Sequence, residues 1–367
     1  MQEGEIVPKA TLLFYINAIH EGGAERVIIQ VARHFALCGY RSILVTSYID
    51  QNEYPVPPEV ERISIEDAEI KQNRLKRNIS RITALRKICK EYKPAAIISF
   101  MAEPNFRSIL ATAGLKTKAI VSVRNDPDRE YAGRLGRFVG KHVIPRAGGC
   151  IFQTEDAKKW FSKKLQKKSQ VIFNDVDPIF FNTEYIGGKD IVTLGRLCEQ
   201  KNHALLIDAF AKISDKHPAV NLLIYGIGPL EDAIKEQISR LGLNKRVLLM
   251  GLSTQSNLVL SSSKCFVLSS DYEGMPNALL EALAVGVPSI STDCPCGGPR
   301  CIIENGVNGY LTPIKDVDAL ANAMDSLLSD EKLCKGFSTK AREMSGAYRT
   351  ETVFSQWREF VEKIISK

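Results

Sequence analysis

Three things are missing from this sequence, and each absence narrows the choices. It has no run of eighteen or more apolar residues, so no helix is expected to cross a membrane. The opening MQEGEIVPKA has no cationic stretch leading into an apolar core, so no secretory signal is expected. The nine cysteines form no paired Cys-x-x-Cys knuckles. Their odd number, scattered from Cys38 to Cys334, argues against a disulfide framework and for a reducing compartment. The tightest cluster, Cys294, Cys296 and Cys301, reads as small packed thiols rather than as metal ligands. Low-complexity tracts are absent as well. The expectation is a cytoplasmic protein that at most rests on a membrane.

What is present has room for two domains. The chain has 367 residues, 44% hydrophobic and 25% charged, and each half can bury its own core. The net charge of +7 is unevenly spread. Residues 1–172 carry 29 Lys and Arg against 18 Asp and Glu, whereas the remainder carries 20 against 24. The first half is therefore expected to face an anionic partner: a membrane surface, a phosphate-bearing substrate or a nucleic acid.

The chain alternates strand and helix, and does so twice. TLLFYI (11–16), RSILVTS (41–47), AAIISF (95–100), KAIVSV (118–123) and GCIFQT (149–154) are apolar runs of strand length with helical stretches between them. After the turn-rich segment 169–190, the pattern restarts with DIVTLG (190–195), NLLIYG (221–226), RVLLMG (246–251), KCFVLSS (264–270) and VPSIST (287–292). Near-continuous Ile/Val/Leu runs alternating with helices signify parallel sheets covered on both faces. The fold class is α/β with two doubly wound, Rossmann-like domains, predicted over 1–172 and 173–349. A C-terminal helix over 350–367 is predicted to cross back to the first domain. Ligands of such sheets bind at the carboxyl ends of the strands, so a shared cleft is the expected site.

Several loops at those strand ends carry chemistry. Gly22-Gly23-Ala24-Glu25 opens the first helix, where the glycines permit close backbone approach and the helix N-terminus favours anions. It lacks the Gly-x-Gly-x-x-Gly dinucleotide fingerprint, and alone it is equally a tight turn. Gly195-Arg196 ends a strand and Lys201 follows, an Arg fork and a Lys point charge able to neutralise a diphosphate. Gly226-Ile227-Gly228-Pro229 ends another strand in a turn with accessible backbone N–H groups. The most specific segment is Glu273-Gly274-Met275-Pro276-Asn277-Ala278-Leu279-Leu280-Glu281, with Pro276 suited to a first helical turn. Were one helix to carry both glutamates, they would lie roughly 12 Å apart along its axis. That exceeds the roughly 5–9.5 Å between the carboxylates of a glycosidase and suits two ends of one extended ligand.

Gly22-Gly23-Ala24-Glu25, Gly195-Arg196-Leu197 with Lys201, Tyr225-Gly226-Ile227-Gly228-Pro229-Leu230, the Glu273 to Glu281 segment and Asn305-Gly306-Val307-Asn308-Gly309-Tyr310 together resemble glycosyltransferase family 4, retaining enzymes of the GT-B fold. The resemblance implies two Rossmann-like domains closing on a nucleotide-sugar donor, without a metal or other cofactor. It implies that Arg196 and Lys201 hold the donor diphosphate and stabilise the leaving group, and that Glu273 binds donor-sugar hydroxyls with the backbone of Gly274, Met275, Pro276 and Asn277. Glu281 would accept from the ribose hydroxyls, and Gly22 and Gly23 would let the first domain approach the phosphates. Many relatives carry a His where this chain has Ser122-Val123-Arg124-Asn125-Asp126, so Arg124 or Asn125 is expected in its place. Arg124, Asn125 and Asn105 are the candidate acceptor contacts.

Residues 71–93 hold nine Lys or Arg against one acidic residue, Glu91. Leu75, Ile79, Ile82, Leu85 and Ile88 fall at helical spacing, with the cations on the other faces. One reading is a solvated helix packed by that stripe. The other is a surface meeting anionic headgroups or a lipid diphosphate through Arg74, Lys76, Arg77 and Arg81. The segment is similar in position and charge to the basic helix of bacterial transferases that build saccharides on polyprenyl diphosphate. The expected function is thus transfer of a hexose or N-acetylhexosamine from a UDP-sugar to such an acceptor, in surface-glycan or capsule assembly. A UDP-sugar epimerase of the same fold is the alternative. A nucleic-acid-binding protein is disfavoured, since the basic stretch has few aromatics for base stacking.

Overall fold

The computed structural model describes residues 8–20, 22–68 and 73–367. The expectation drawn from the first seven residues, and Lys71 and Gln72 of the basic stretch, lie outside the described residues. The chain divides into two compact units, one running up to Phe173 and resuming at Val353–Lys367, the other Asn174–Thr352.

The first unit is built on seven parallel strands: β1 (Thr11–Ile16), β2 (Arg41–Thr46), β3 (Glu61–Ser64), β4 (Ala96–Phe100), β5 (Lys118–Val123), β6 (Gly149–Phe152) and β7 (Ser169–Val171), in the order β3-β2-β1-β4-β5-β6-β7. Every residue of β4, and all but the first of β1, β2 and β5, is buried. Helices cover both faces of such a sheet, which is why these strands read as apolar runs instead of alternating ones. The strand order reverses between β1 and β4, which pair from Leu12 opposite Ala96. A crevice opens at the carboxyl ends of two strands whose connections leave in opposite directions.

The core of this unit is completed by the last helix of the chain, Thr350–Ile365, which buries Val353, Phe354, Trp357, Phe360, Val361 and Ile364 in it. Trp357 is fully buried and stacks on Phe100, with ring centroids 5.7 Å apart. Gly149 is small because the helix needs the space: a Cβ there would meet Phe360 at 3.0 Å and Ile364 at 3.2 Å.

The second unit repeats the plan with six parallel strands: β8 (Ile191–Leu194), β9 (Leu222–Tyr225), β10 (Val247–Gly251), β11 (Cys265–Leu268), β12 (Ser289–Thr292) and β13 (Tyr310–Thr312), in the order β10-β9-β8-β11-β12-β13. Its order reverses between β8 and β11. Strands β3, β7 and β13 are additions to the sequence reading. Each is only three or four residues long and lacks fully buried faces, so none has an apolar run to announce it.

Replacing Trp357 with Ala removes the largest buried side chain contributed by the last helix and leaves a cavity against Phe100. Equilibrium unfolding in urea should show a loss of about 3–5 kcal/mol.

Candidate active site

In the second unit the loops after β8 and β11 meet at the point where the strand order reverses. The loop after β8 carries Arg196, then a short 3₁₀ turn, Glu199–Lys201. The loop after β11 carries Ser269 to Pro276 and leads into the helix Asn277–Val285. Side chains fasten the two loops together. Asn202 Nδ2 donates to Asp271 Oδ1 at 2.8 Å, Ser269 Oγ to the Lys201 carbonyl at 2.9 Å, and the Asp271 N–H to the Gln200 carbonyl at 2.9 Å.

Glu273 lies at the centre of this fastening. Its carboxylate is almost wholly buried, with Lys201 Nζ 2.6 Å from Oε1, Ser270 Oγ donating to Oε1 at 2.7 Å and Gln200 Nε2 to Oε2 at 3.3 Å. A buried carboxylate is tolerated when it is both paired and hydrogen-bonded. Lys201 Nζ keeps partial access to solvent. With three donors and a single close carboxylate, it can also take a phosphate oxygen. Arg196 is exposed beside it and forms no ion pair among the described residues.

The helix Asn277–Val285 begins without a side-chain cap, and its N-cap residue, Pro276, has no N–H to offer. Pro276 therefore sits one position earlier than the first helical turn expected from the sequence. Glu273 precedes the helix and only Glu281 lies on it, so the two glutamates do not share an axis. Both are buried, as are Gly274 and Met275. Asn277 Oδ1 accepts from Asn174 Nδ2 at 2.5 Å, which also reaches the Met275 carbonyl at 3.3 Å. Gly274 is crossed closely by Gly298, where a Cβ would stand 1.8 Å from the Gly274 oxygen.

At the turn of Gly226 and Gly228, one of the N–H groups read as accessible is taken. The Gly226 N–H is donated to the Gly251 carbonyl at 2.8 Å. A Cβ at Gly226 would lie 2.0 Å from the Gly195 oxygen, and one at Gly228 2.4 Å from the Leu197 oxygen. These glycines let the β9 loop pack on the backbone of the Gly195-Arg196 loop, and so hold Arg196 from behind.

In the first unit, Gly22 is the N-cap of the helix Gly23–Leu37 and Gly23 is exposed. Glu25, in the first turn, folds back so that its carboxylate would contact a Cβ at Gly22, and it pairs with His20 at 3.5 Å. That N-terminus thus already holds the chain's own anion. Asn105 is corrected from a loop contact to a buried brace: it lies on the helix Ala102–Thr112, accepts from Ser99 Oγ at 2.9 Å and donates to the Ser122 carbonyl at 2.8 Å. It ties β4 to β5 and presents nothing to a ligand. Met101, between β4 and that helix, has φ 77° and ψ 158°, a backbone region otherwise left to glycine.

Arg124 is mostly buried, its guanidinium 4.5 Å from the Phe100 ring, and Asn125 is half-buried beside it. The backbone N–H groups of both residues donate to Glu130 Oε2 at 3.1 Å. The sequence gives no hint of Glu130, because its partners are amides whose positions depend on the turn. Burial pushes its carboxyl up to about 7, against the smaller opposing effect of the two amides and Arg124.

The basic helix is Arg74–Tyr92, and its buried residues are Arg81, Leu85 and Cys89. Arg81 is therefore corrected from a lipid-facing cation to a structural one: it is 1% exposed and bound to the Glu66 carboxylate at 2.6 Å and 3.0 Å. Leu75 and Ile79, expected in the packed stripe, are 69% and 56% exposed. Arg74 and Lys76 are exposed and Arg77 is half-buried. Arg74 reaches Glu103 at 3.0 Å, and Glu103 in turn holds the fully buried Arg107 at 2.6 Å.

Three Asp-x-Asp pairs occur, Asp126–Asp128, Asp175–Asp177 and Asp316–Asp318, a pattern by which many transferases hold a cation. Each uses one aspartate as a helix N-cap: Asp126 for Asp128 N–H, Asp177 for Ile179 N–H and Asp316 for Ala319 N–H. Among the described residues no three His, Cys, Asp or Glu side chains are grouped to hold a metal.

Two family profiles cover most of the chain: glycosyltransferase family 4 matches residues 21–179, and glycosyl transferases group 1 matches residues 179–344. An N-acetyl-alpha-D-glucosaminyl L-malate synthase of Bacillus anthracis is 30% identical over 277 residues, 72% of this chain and 71% of that one. A Campylobacter jejuni alpha-1,4-N-acetyl-D-galactosaminyltransferase, named for a diNAcBac-PP-undecaprenol-linked saccharide, is 24% identical over 359 residues, 96% of this chain and 98% of that one. Among solved structures, an Anabaena protein in complex with UDP and glucose superposes with a TM-score of 0.81 at 18% identity, over 96% of this chain and 99% of that one.

Burial of the Glu130 carboxyl makes stability depend on pH. Its proton is held to about pH 7 in the fold, above the ordinary value of 4.5. Between those values the unfolded chain ionises first, so stability falls as pH rises. Glu130→Gln keeps an oxygen for the two amides and carries no proton to lose. Its melting temperature should rise relative to wild type between pH 5 and pH 8, by the equivalent of up to about 3 kcal/mol. A difference constant across that range would contradict this assignment.

Proposed function

This chain belongs to glycosyltransferase family 4, and from that premise we propose that it moves a hexose or N-acetylhexosamine from a UDP-sugar, with retention, to a saccharide on a polyprenyl diphosphate. The second unit carries the donor and the first carries the acceptor. The observation that carries this reading is the buried Glu273–Lys201 pair, set beside an exposed Arg196 and the uncapped start of the helix Asn277–Val285.

Each part has a use in that reaction. Arg196 and Lys201 take the oxygens of the donor diphosphate, and the free N–H groups at the helix start add a dipole of the same sense. As the bond from the anomeric carbon to the diphosphate oxygen breaks, these groups meet the charge that develops on the leaving oxygen. The acceptor hydroxyl bonds to the same face of the sugar, and its proton passes to the departing phosphate. Glu273 accepts hydrogen bonds from donor-sugar hydroxyls, and Lys201 holds it in place. Glu281 takes the ribose hydroxyls. Arg196 and Lys201 then stand where a metal ion would otherwise balance the diphosphate, and the reaction proceeds without one.

Acceptor and setting follow from the relatives and from surface charge. Campylobacter relatives are named for undecaprenol-diphosphate-linked saccharides, and UDP is bound in structures of the same fold. No helix among the described residues is long and apolar enough to cross a membrane. Arg74, Lys76 and Arg77 remain as the cations able to meet anionic headgroups, in surface-glycan or capsule assembly. Asn125 and Arg124 lie at the carboxyl end of β5, where an acceptor would reach them.

Calorimetry against a panel of nucleotide sugars, in EDTA, tests the donor site. One UDP-sugar should bind wild type, and Glu281→Ala or Arg196→Ala should weaken it at least about ten-fold, or 1.4 kcal/mol. Absence of binding to every nucleotide sugar would sink the transferase reading, and turnover of a UDP-sugar without acceptor would favour an epimerase. Arg74→Gln with Lys76→Gln and Arg77→Gln should lower turnover of a lipid-linked acceptor while leaving donor affinity unchanged.

A further inference from the structure

The segment between β5 and β6 has a face that neither the donor site nor the basic helix explains. The helix Gly133–Phe138 runs directly into a wider turn, Val139–Val143. None of the six residues Gly133–Phe138 is buried in the unit's core. Leu135 is 68% exposed and Phe138 57%. Three and four residues apart along the helix, Leu135, Phe138 and His142 share one side, and Arg134, Arg137 and Lys141 share the adjoining one. No acidic residue occurs between Glu130 and Glu155.

This face is held firmly from behind. A Cβ at Gly140 would meet the Trp160 ring at 2.8 Å, and Tyr131 stacks on the same ring with centroids 6.0 Å apart. Lys141 lies over Trp160 and donates to its carbonyl at 2.7 Å, and Arg137 stands 4.0 Å from Asp128. Leu135 and Phe138 are therefore presented outward on a fixed support.

We propose that the segment 133–142 is a membrane-docking helix, whose Leu135 and Phe138 enter the headgroup region of an anionic phospholipid bilayer while Arg134 and Arg137 pair with lipid phosphates. An apolar side flanked by cations is the arrangement that an interfacial helix needs. Position within the unit favours a surface over a single anion. Helices that follow strands of a parallel sheet begin at its carboxyl-terminal edge, and the exposed Leu75 and Ile79 with Arg74 and Lys76 open the helix after β3 at that same edge. From β3 to β5 is four strand spacings, or roughly 19 Å. A free phosphate can satisfy one of these clusters, whereas an extended lipid surface can satisfy both. The inference goes beyond the transferase reading, because docking requires neither donor nor acceptor.

The test is co-sedimentation with vesicles of phosphatidylcholine alone and with added phosphatidylglycerol. Wild type should bind the anionic vesicles and not the neutral ones. Leu135→Ser with Phe138→Ser should lower partitioning about ten-fold or more, because two apolar side chains no longer leave water. Arg134→Gln with Arg137→Gln should reduce it most at low salt. All four side chains are exposed, so melting temperature and UDP-sugar affinity should stay at wild-type values and report that the variants fold. Wild-type partitioning by the Leu135/Phe138 variant would overturn the proposal. So would absence of vesicle binding by wild type, or binding to a single-stranded oligonucleotide in place of vesicles. Loss of donor binding by wild type would instead overturn the transferase reading and leave the vesicle result standing.

Discussion

Glu273 is a carboxylate taken out of water at the carboxyl edge of a parallel sheet, and the second unit is arranged around keeping it there. Removing such a charge from solvent costs several kcal/mol unless an opposite charge and further donors meet it. Lys201, Ser270 and Gln200 are those partners, and each belongs to one of the two loops that converge where the strand order reverses. The pair therefore acts as a clasp. It locks the loop after β8, which carries the exposed Arg196, to the loop after β11, which leads into the uncapped helix Asn277–Val285. The glycines at 226, 228 and 298 belong to the same constraint. Each removes a Cβ that would hold two backbones apart by an ångström or more.

Where burial is complete, the sequence is easy to read. β1, β2, β4 and β5 appear as apolar runs because helices cover both faces, and the restart at residue 190 is visible for the same reason. The residues proposed for a donor stand in two loops that the strand ends of the second unit bring together. Three things were not legible. Short edge strands such as β3 have no buried face. A cation such as Arg81 can be drawn into the protein by a partner far along the chain, here Glu66, and helical spacing alone then assigns it to the wrong side. The stripe holds at Leu85, which is fully buried, with Ile82 and Ile88 partly buried, and departs only at its start, where Leu75 and Ile79 are exposed.

Glu130 and Glu273 pose one physical problem and meet it in two ways. Both are buried at the edge of a parallel sheet, each in the loop system that follows a strand. Glu273 is answered by an ammonium, a full opposite charge. Glu130 is answered chiefly by two backbone amides, and burial raises its carboxyl to about 7. Amides offer partial charges only, and at Glu130 the effect of burial outweighs them.

That difference bears on what each unit can do. A site for a diphosphate would need cations held in place, and Lys201 is anchored on Glu273. In the first unit, Glu130 sets the backbone of the turn that carries Arg124 and Asn125. Because Glu130 grips the N–H groups of Arg124 and Asn125, its ionisation strengthens the hold on that turn without placing a new charge in the open. The strained backbone at Met101 lies across the same strand edge, linked by its own N–H to the Ser122 carbonyl. Asn105 joins both through Ser99 and Ser122. Strain persists only where neighbours over-determine it. Here the neighbours are the residues that define the turn after β5, so this edge of the first unit is cross-braced.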